Sequence, residues 1–444
     1  MDYQDPQQAL KFAAADSGLK QTIEGDFNLV RVKYNSCCKE TVLGKSSGRK
    51  EKKMVFFLLL FFFVLMNSSC EKDLIVDNEI ESEETEKETV IITPDDYRTV
   101  SDISNELLSC GPVLVSGKNG SMTVVYLCDE DSPIETDLSS TIFIRASRFS
   151  VSQTSAVAFT DIARPNMTLH GHNTGSSVPY EPNCLKTGDG LLAMFREGGI
   201  NGSYVCCNVD EFELICSNYR NMTIDGRMLD SEGLADVYKR LQRYQVNNNP
   251  VVVFTTRIIK TDGYYYSHLG DYYDYGVIVR SKNGVDWESL FIPSPISGMS
   301  YILEGAVGKD DKTGNLFLCA RGDKVALYQY DSLFNEKSEP RVLQGVTTSK
   351  PTFFNYHDDL YLIVNMDNDF NFSNGRRNTA NIYKVDGVSG NLSLVKAIKC
   401  KEGCAYHSIQ VVNDEIWMVF QTDSRQIAME TQGRSNLALY KLEF

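Results

Sequence analysis

The sequence predicts an all-β chain built as a six-bladed β-propeller, a ring of small sheets around a central axis. Three observations predict it. The first is a hairpin at Arg280-Ser281-Lys282-Asn283-Gly284-Val285-Asp286-Trp287, where Asn-Gly separates two alternating runs, Tyr275 to Val279 and Trp287 to Ile292. Both turn residues accept positive φ, which makes the pair a strong short-range hairpin signal. The second is one theme repeated six times after residue 100: an apolar run, a Gly/Asn/Asp turn, then a strongly apolar or aromatic strand. The third is the period-two alternation of those runs, with no sustained helical period outside a short surface helix expected within Ser231–Tyr244.

In chain order the repeats occupy 112–127, 182–195, 251–267, 305–320, 351–364 and 407–420, roughly 45–70 residues apart. A third strand follows each after a variable loop: 139–147, 202–209, 275–281, 324–331, 379–386 and 435–444. Four short strands cannot bury both faces of a blade alone, so blades need neighbours, and a closed ring leaves few edges. The last strand is expected to close the ring with an early one from Thr89–Ile103.

The segment before the repeats reads differently. Residues 55–66 form an unbroken apolar run behind the basic stretch Lys45 to Lys53. Twelve residues fall short of the roughly 20 that span a bilayer as helix, but they suit a signal-peptide core. Asn67-Ser68-Ser69-Cys70 follows, an order similar to a bacterial lipoprotein signal, with Asn67 where an aliphatic residue is usual. Residues 54–70 are therefore read as a signal peptide with Cys70 as the lipidation site. Residues 1–53 are an odd prefix to an export signal, and the true start is expected downstream. Residues 71–100, centred on a run of glutamates, are read as an acidic linker that stays solvated. The propeller is assigned to 101–444. These features predict an exported chain in the cell envelope, held at the membrane by a lipid.

A net charge of −15 argues against nucleic acid, which selects Lys/Arg stripes. Of twelve cysteines, nine follow residue 100, and no pair of CxxC motifs appears among them, so no zinc site is expected. Cys400 and Cys404 are spaced for a local disulfide, while most of the others are expected as buried thiols. The five histidines, His170 and His172 included, show no HExxH pattern. Neither metal nor cofactor is expected.

In a propeller the central mouth is lined by residues that open each first strand and by loops joining second to third strands. Glu304 precedes the fourth blade's first strand, and Arg321 ends its second, in Cys319-Ala320-Arg321-Gly322. Arg376 and Arg377 fall in the second-to-third loop of blade five. Tyr406 opens blade six, in Gly403-Cys404-Ala405-Tyr406-His407-Ser408. Asp129, Glu130 and Asp131 follow the second strand of blade one, and a tyrosine-rich stretch, 264–275, offers stacking surfaces at the mouth.

That order resembles the sialidase (neuraminidase) superfamily over roughly residues 105–444, and the Ser…Asn-Gly…Trp spacing resembles its Asp-box hairpin, with Asn283 where Asp is usual. The resemblance implies that Tyr406 is a nucleophile whose proton Glu304 withdraws. It implies that Arg321 and Arg376 or Arg377 grip an acidic sugar, and that Asp129 or Asp131 is the general acid/base. A phenol assisted by a carboxylate attacks an anionic sugar without the repulsion a carboxylate nucleophile meets. Arginines present forks matched to a carboxylate.

Two positions depart from that pattern. Where the family opens blade one with an arginine, this chain has Ser109-Cys110-Gly111-Pro112, and blade two carries Glu in Tyr180-Glu181-Pro182. Arg145 and Arg257 are the arginines such a site could recruit instead. Two readings follow. One is a retaining exo-glycoside hydrolase on terminal acidic sugars of cell-surface or extracellular glycans. The other is an inactive glycan- or protein-binding propeller lipoprotein; an arabinanase-like or lyase propeller is a third, weaker alternative. The anchor is tested by metabolic labelling with a fatty acid: label is expected on the wild-type chain and none on Cys70→Ala.

Overall fold

A computed structural model of the chain describes residues 88–444 apart from 103–105, 132–141, 151, 153–157, 165–167, 170–171, 174–179, 189, 198–201, 242–249, 255–256, 347–349, 367–376 and 423–434. The signal segment, Cys70 and Arg376 lie outside these residues. The folded part starts by Glu88, inside the stretch read as linker, because Glu88–Ile92 and Arg98–Thr99 are both strands in sheets.

Each apolar repeat becomes a hairpin of the first two strands of a sheet, and the sheets follow one another along the chain. The first holds Leu108–Ser116, Ser121–Asp129, Phe143–Ser150 and Ala158–Ala163; the second holds Tyr180–Thr187, Gly190–Glu197, Ser203–Val209 and Cys216–Asn221. The fourth position is taken by Ile302–Lys309, Leu316–Gly322, Val325–Tyr330 and Arg341–Val342. The fifth comprises Thr352–Tyr356, Asp359–Asn365, Thr379–Val385 and Leu392–Cys400, with Glu88–Ile92 added in parallel outside. The last comprises Ala405–Val412, Glu415–Gln421 and Leu437–Leu442, completed by Arg98–Thr99. The early strand thus adds antiparallel to the final one, and closure joins the two ends of the propeller.

The expectation of six equivalent blades is corrected to five regular blades and a composite sheet at the third position. There the inner strand is split into Val252–Val253 and Ile259–Thr261, both paired with Tyr264–Asp271. Its outer edge gains Thr223–Ile224, parallel to Asp286–Phe291, and then Arg227–Met228. The chain between these pieces forms the expected helix, α1 (Ser231–Arg240), shorter than its sequence pattern. Asp230 caps it by accepting the Gly233 N–H at 2.9 Å, and Lys239 and Arg240 sit favourably at its carbonyl end. Leu234, Val237 and Tyr238 pack under it with Met222 and Ile224.

Apolar clusters fill the spaces between successive sheets. At the closing junction Leu114, Tyr126 and Phe143 of the first sheet pack with Trp417, Val419 and Leu439 of the last. All nine described cysteines are buried and none is in a disulfide. The expected Cys400–Cys404 bond is therefore corrected: both residues sit in the apolar cluster of the last two sheets, and the Cys400 thiol donates to Glu402 Oε2 at 3.7 Å.

The Asn-Gly hairpin forms, but only Gly284 takes positive φ (78°), because the loop runs over four residues rather than two. Asn283 Oδ1 accepts the N–H groups of Val285 and Asp286 at 2.8 and 2.9 Å, and Ser281 Oγ donates to the Asp286 carbonyl at 2.6 Å. Trp287 lies buried between the second and third sheets, its Nε1 donating to Gly284 O at 3.1 Å. The positive φ favours glycine there, and a Cβ on Gly284 would also press on the tip of the Leu185 side chain, at 2.8 Å from Cδ2.

Three further third-to-fourth strand turns use the same device. Asp210, Asp331 and Asp386 each end a third strand and accept backbone N–H groups two to four residues on. These bonds hold all three carboxyls below the usual aspartate range; for Asp331 the Asn335 side chain contributes most. Removing the acceptor should matter more than exchanging the amide for a carboxylate. Read from urea-denaturation midpoints, Asn283→Ala is expected to lower unfolding free energy by about 1–2 kcal/mol. Asn283→Asp is expected to lower it by less, since a carboxylate keeps both acceptor bonds and loses only the Nδ2 donation to Asp286 Oδ2.

Candidate functional site

A regular strand points its side chains at the faces of its sheet, not along the axis of a ring. The inner strands break that rule at one end. Register shifts fall between Cys110 and Val113, between Ile302 and Glu304, and between Ala405 and Ser408. In the second sheet the extra residue again lies on the inner strand, where Tyr180 to Asn183 opposes only Arg196 to Met194. Gly111, Glu181 and Tyr406 also hold left-handed backbone, with φ of 59°, 53° and 51°. Such bulges bend a strand and re-aim a side chain. Left-handed φ in Glu and Tyr is backbone strain that the surrounding structure holds in place.

The re-aimed residues form a charged cluster. Arg321 Nη1 donates to Glu304 Oε2 at 2.8 Å, and the Arg377 guanidinium lies 5.0 Å from the centre of the Tyr406 ring. Burial alone pushes the Arg321 value down; Glu304, and after it Tyr406, reverse this and leave it raised, while Arg377 opposes them. Phenol, carboxylate and two guanidinium groups thus share one buried neighbourhood. Glu304, Arg377 and Tyr406 are each less than one-tenth exposed.

Beside them lies a second pair. Arg196 Nη2 donates to Glu181 Oε1 at 2.9 Å, and the Tyr204 hydroxyl donates to the other oxygen. The same side chains stitch the second sheet to the composite one: Arg196 Nη1 donates to Val252 O at 3.0 Å, and Tyr204 accepts the Phe254 N–H at 2.8 Å. Burial raises the Glu181 carboxyl, Arg196 opposes that, and Glu304 reinforces it.

Lys350 completes the cluster. It is 6% exposed, and its amine makes no hydrogen bond or ion pair among the described residues. Burial lowers its value, while Glu304, Glu181 and Cys110 oppose that from nearby. Four basic side chains, Arg196, Arg321, Lys350 and Arg377, therefore face two carboxylates, Glu181 and Glu304. An otherwise acidic protein carries a buried centre of positive charge, which suits an anion.

The residues expected from sequence distribute as follows. Glu304, Arg321, Arg377 and Tyr406 come together. Asp129 is fully buried, with Oδ1 accepting the Asp131 N–H at 2.8 Å, whereas Asp131 is exposed. Arg145 is not recruited to the mouth: Asp102, Glu106, Glu130 and Asp161 surround its guanidinium at 2.8–3.7 Å and keep it fully committed. Arg257 is not recruited either, since it lines a different cavity. In the tyrosine-rich stretch, Tyr265, Tyr266 and Tyr275 are buried. Tyr273 is exposed, and Tyr272, 38% exposed with the rest of its surface covered, is pushed up to about 12 by that partial burial and then by Glu181.

Glu181 as an ionic partner, Arg196 and Lys350 were missed. Lys350 stands immediately before Pro351 and the fifth blade's first strand, the same position rule that singled out Glu304 and Tyr406. Applied to every repeat, the rule finds it.

No protein-family model matches the sequence, and no curated protein sequence matches it. Solved structures share its fold. They include a protein of unknown function from Dyadobacter fermentans, 10% identical, with TM-score 0.54 over 79% of this chain and 98% of that one. Another is the Hadza microbial sialidase Hz136, 14% identical, TM-score 0.54, covering 76% of this chain and 66% of that one. A Trypanosoma rangeli sialidase in complex with 2,3-difluoro-KDN is 12% identical, with TM-score 0.51 over 79% and 58%. The chain spans about two thirds or less of these two sialidases. Its fold is that of a sialidase-like β-propeller.

Two buried histidines make the protein's stability pH-dependent. His407 follows Tyr406, His268 lies behind Gly305, and burial pulls both down to about 4. Between that value and about 6.5 the unfolded chain binds these protons and the folded chain does not. Stability is therefore full above about pH 6.5 and falls as pH drops toward 4, by up to about 3 kcal/mol per histidine. A Tm profile from pH 7.5 to 4 checks this, with a flat profile contradicting it.

Proposed function

We propose that the mouth binds the carboxylate of a terminal acidic sugar, sialic acid foremost, and that the chain is a retaining exo-glycoside hydrolase of cell-surface or extracellular glycans. The observation that carries this reading is the shared neighbourhood of Tyr406, Glu304, Arg321 and Arg377 at the bulged strand ends. The likeness of fold to solved sialidases supports it.

In this mechanism the Tyr406 oxygen attacks the anomeric carbon as Glu304 takes the phenolic proton. The leaving oxygen receives a proton from Asp131, the exposed member of the loop pair, or from Asp129. Water then displaces the tyrosine with the acid/base reversed, so configuration is retained. Arg321 and Arg377 hold the sugar carboxylate. Lys350 supplies the third positive charge in place of an arginine at Cys110. An ammonium is a point charge rather than a fork, so the grip is electrostatic more than geometric. Tyr272 and Tyr273 offer exposed rings to the sugar's apolar face. Residues 54–70 support an exported, lipid-anchored location, with Cys70 as the acylated residue.

The specific feature favouring a second reading is Cys110. A thiol binds no carboxylate, and a site without its first arginine is consistent with a propeller that captures acidic glycans uncleaved. Hydrolysis of a fluorogenic sialoside is the direct test, run beside a glycan array. Turnover is expected, with a loss of roughly 100-fold or more in Tyr406→Phe. Lys350→Met is expected to raise KM roughly tenfold or more, the worth of one charge-assisted bond. Array binding without turnover selects the second reading, and unchanged turnover in Tyr406→Phe rejects the nucleophile.

A further inference from the structure

A cavity of about 380 Å³ lies at the other end of the inner strands. The mouth residues open the inner strands, whereas this cavity is lined where those strands finish, by Ser116, Lys186, Lys309, Asn355 and Gln410. None of Glu181, Glu304, Arg321, Lys350, Arg377 or Tyr406 touches it. Its walls are mixed: Leu114, Phe353 and Val411 are apolar, while Lys186, Arg257, Lys260 and Lys309 are basic and Asp311 is acidic. Four cations against one carboxylate is a marked inversion in a chain of net charge −15.

The lysines have partners of their own. Lys186 lies 3.8 Å from Glu211, Lys309 bonds Thr261 at 2.8 Å and Asp262, and Lys260 lies over the Tyr265 ring. The Asp311 carboxylate accepts from Asn355 Nδ2 at 2.6 Å. Arg257 differs. Its guanidinium donates once, from Nη1 to the Phe353 carbonyl at 3.2 Å, and no carboxylate reaches it among the described residues. Burial pulls its value down to about 10, with no opposing charge. Arg257 and Arg321 are partly buried and Arg145 and Arg196 fully so, but of these four only Arg257 has no acid beside it among the described residues. A guanidinium has five donors in a planar fork and keeps its proton, so desolvating one without an anion is costly.

We propose that this cavity is a second binding site, for a small molecule with a carboxylate or phosphate head, held by the Arg257 fork. The head is drawn in by the lysines at the rim, and a body of monosaccharide size rests on Leu114, Phe353 and Val411. The volume is within the range of small-molecule sites. The site is independent of sugar hydrolysis at the mouth.

The test is calorimetric titration of the whole chain with inorganic phosphate and, separately, with D-glucuronate, at ionic strength held constant with sodium chloride. Saturable binding of at least one probe is expected, which also tells a phosphate head from a sugar carboxylate. Affinity is expected to fall tenfold or more in Arg257→Met and to stay unchanged in Lys350→Met, which alters only the mouth. Should Arg257→Met not fold, Arg257→Lys serves, since it keeps the charge and loses the fork; a several-fold weakening is expected. Absence of saturable binding of both probes, or wild-type affinity in the Arg257 variant that folds, overturns the proposal. Loss of binding in Lys350→Met instead assigns the anion to the mouth and overturns it equally.

Discussion

The site depends on one backbone constraint: inner strands must leave regular register where they meet the mouth. Ladder pairing dictates that residues alternate between the two faces of a sheet, and both faces here are buried against neighbouring sheets. A side chain reaches the axis only where the ladder is interrupted. The shifts at Cys110, Glu304 and Ala405, with left-handed φ at Gly111, Glu181 and Tyr406, provide that interruption. Each costs hydrogen bonds or conformational energy, and each is held by apolar packing on both sides of its blade.

Charge is arranged with the same economy. Buried ions survive when paired, and Arg321–Glu304 and Arg196–Glu181 are pairs whose partners come from adjacent strands of one hairpin. Lys350 and Arg257 stand outside that pattern. One faces the mouth beside two carboxylates already bonded to arginines, and the other faces the far cavity with a single carbonyl for company. Positive charge without a bonded acid at both ends of the inner strands stands out in a protein that is otherwise acidic.

The composite third sheet shows how a propeller absorbs an irregular repeat. Splitting its inner strand removes ladder bonds, and the loss is offset by side-chain ties from the second sheet. Asn183 and Tyr204 bond the backbone of Phe254, and Arg196 bonds that of Val252. On its outer edge, α1 and the Thr223–Ile224 strand cover surface that a regular fourth strand leaves bare. The ring is then closed twice, by Arg98–Thr99 on the last sheet and by the Leu114–Trp417 cluster.

Sequence alone determined the all-β class, the positions of the repeats, the Asn283 hairpin and the order Glu304, Arg321, Arg377, Tyr406. Strand alternation and turn chemistry are local, carried by residues two to five apart, so they can be read directly. The aspartates ending three other third strands were equally legible, since Asp210, Asp331 and Asp386 do locally what Asn283 does. Tertiary structure decided what depends on neighbours distant in the chain. It left five regular blades and a composite, tied up Arg145 with four carboxylates, turned Arg257 away from the mouth, left Cys400 and Cys404 as buried thiols, and brought Lys350 to the side of Cys110. Those outcomes follow from which charges and faces meet across sheets, and no spacing within one strand encodes that meeting.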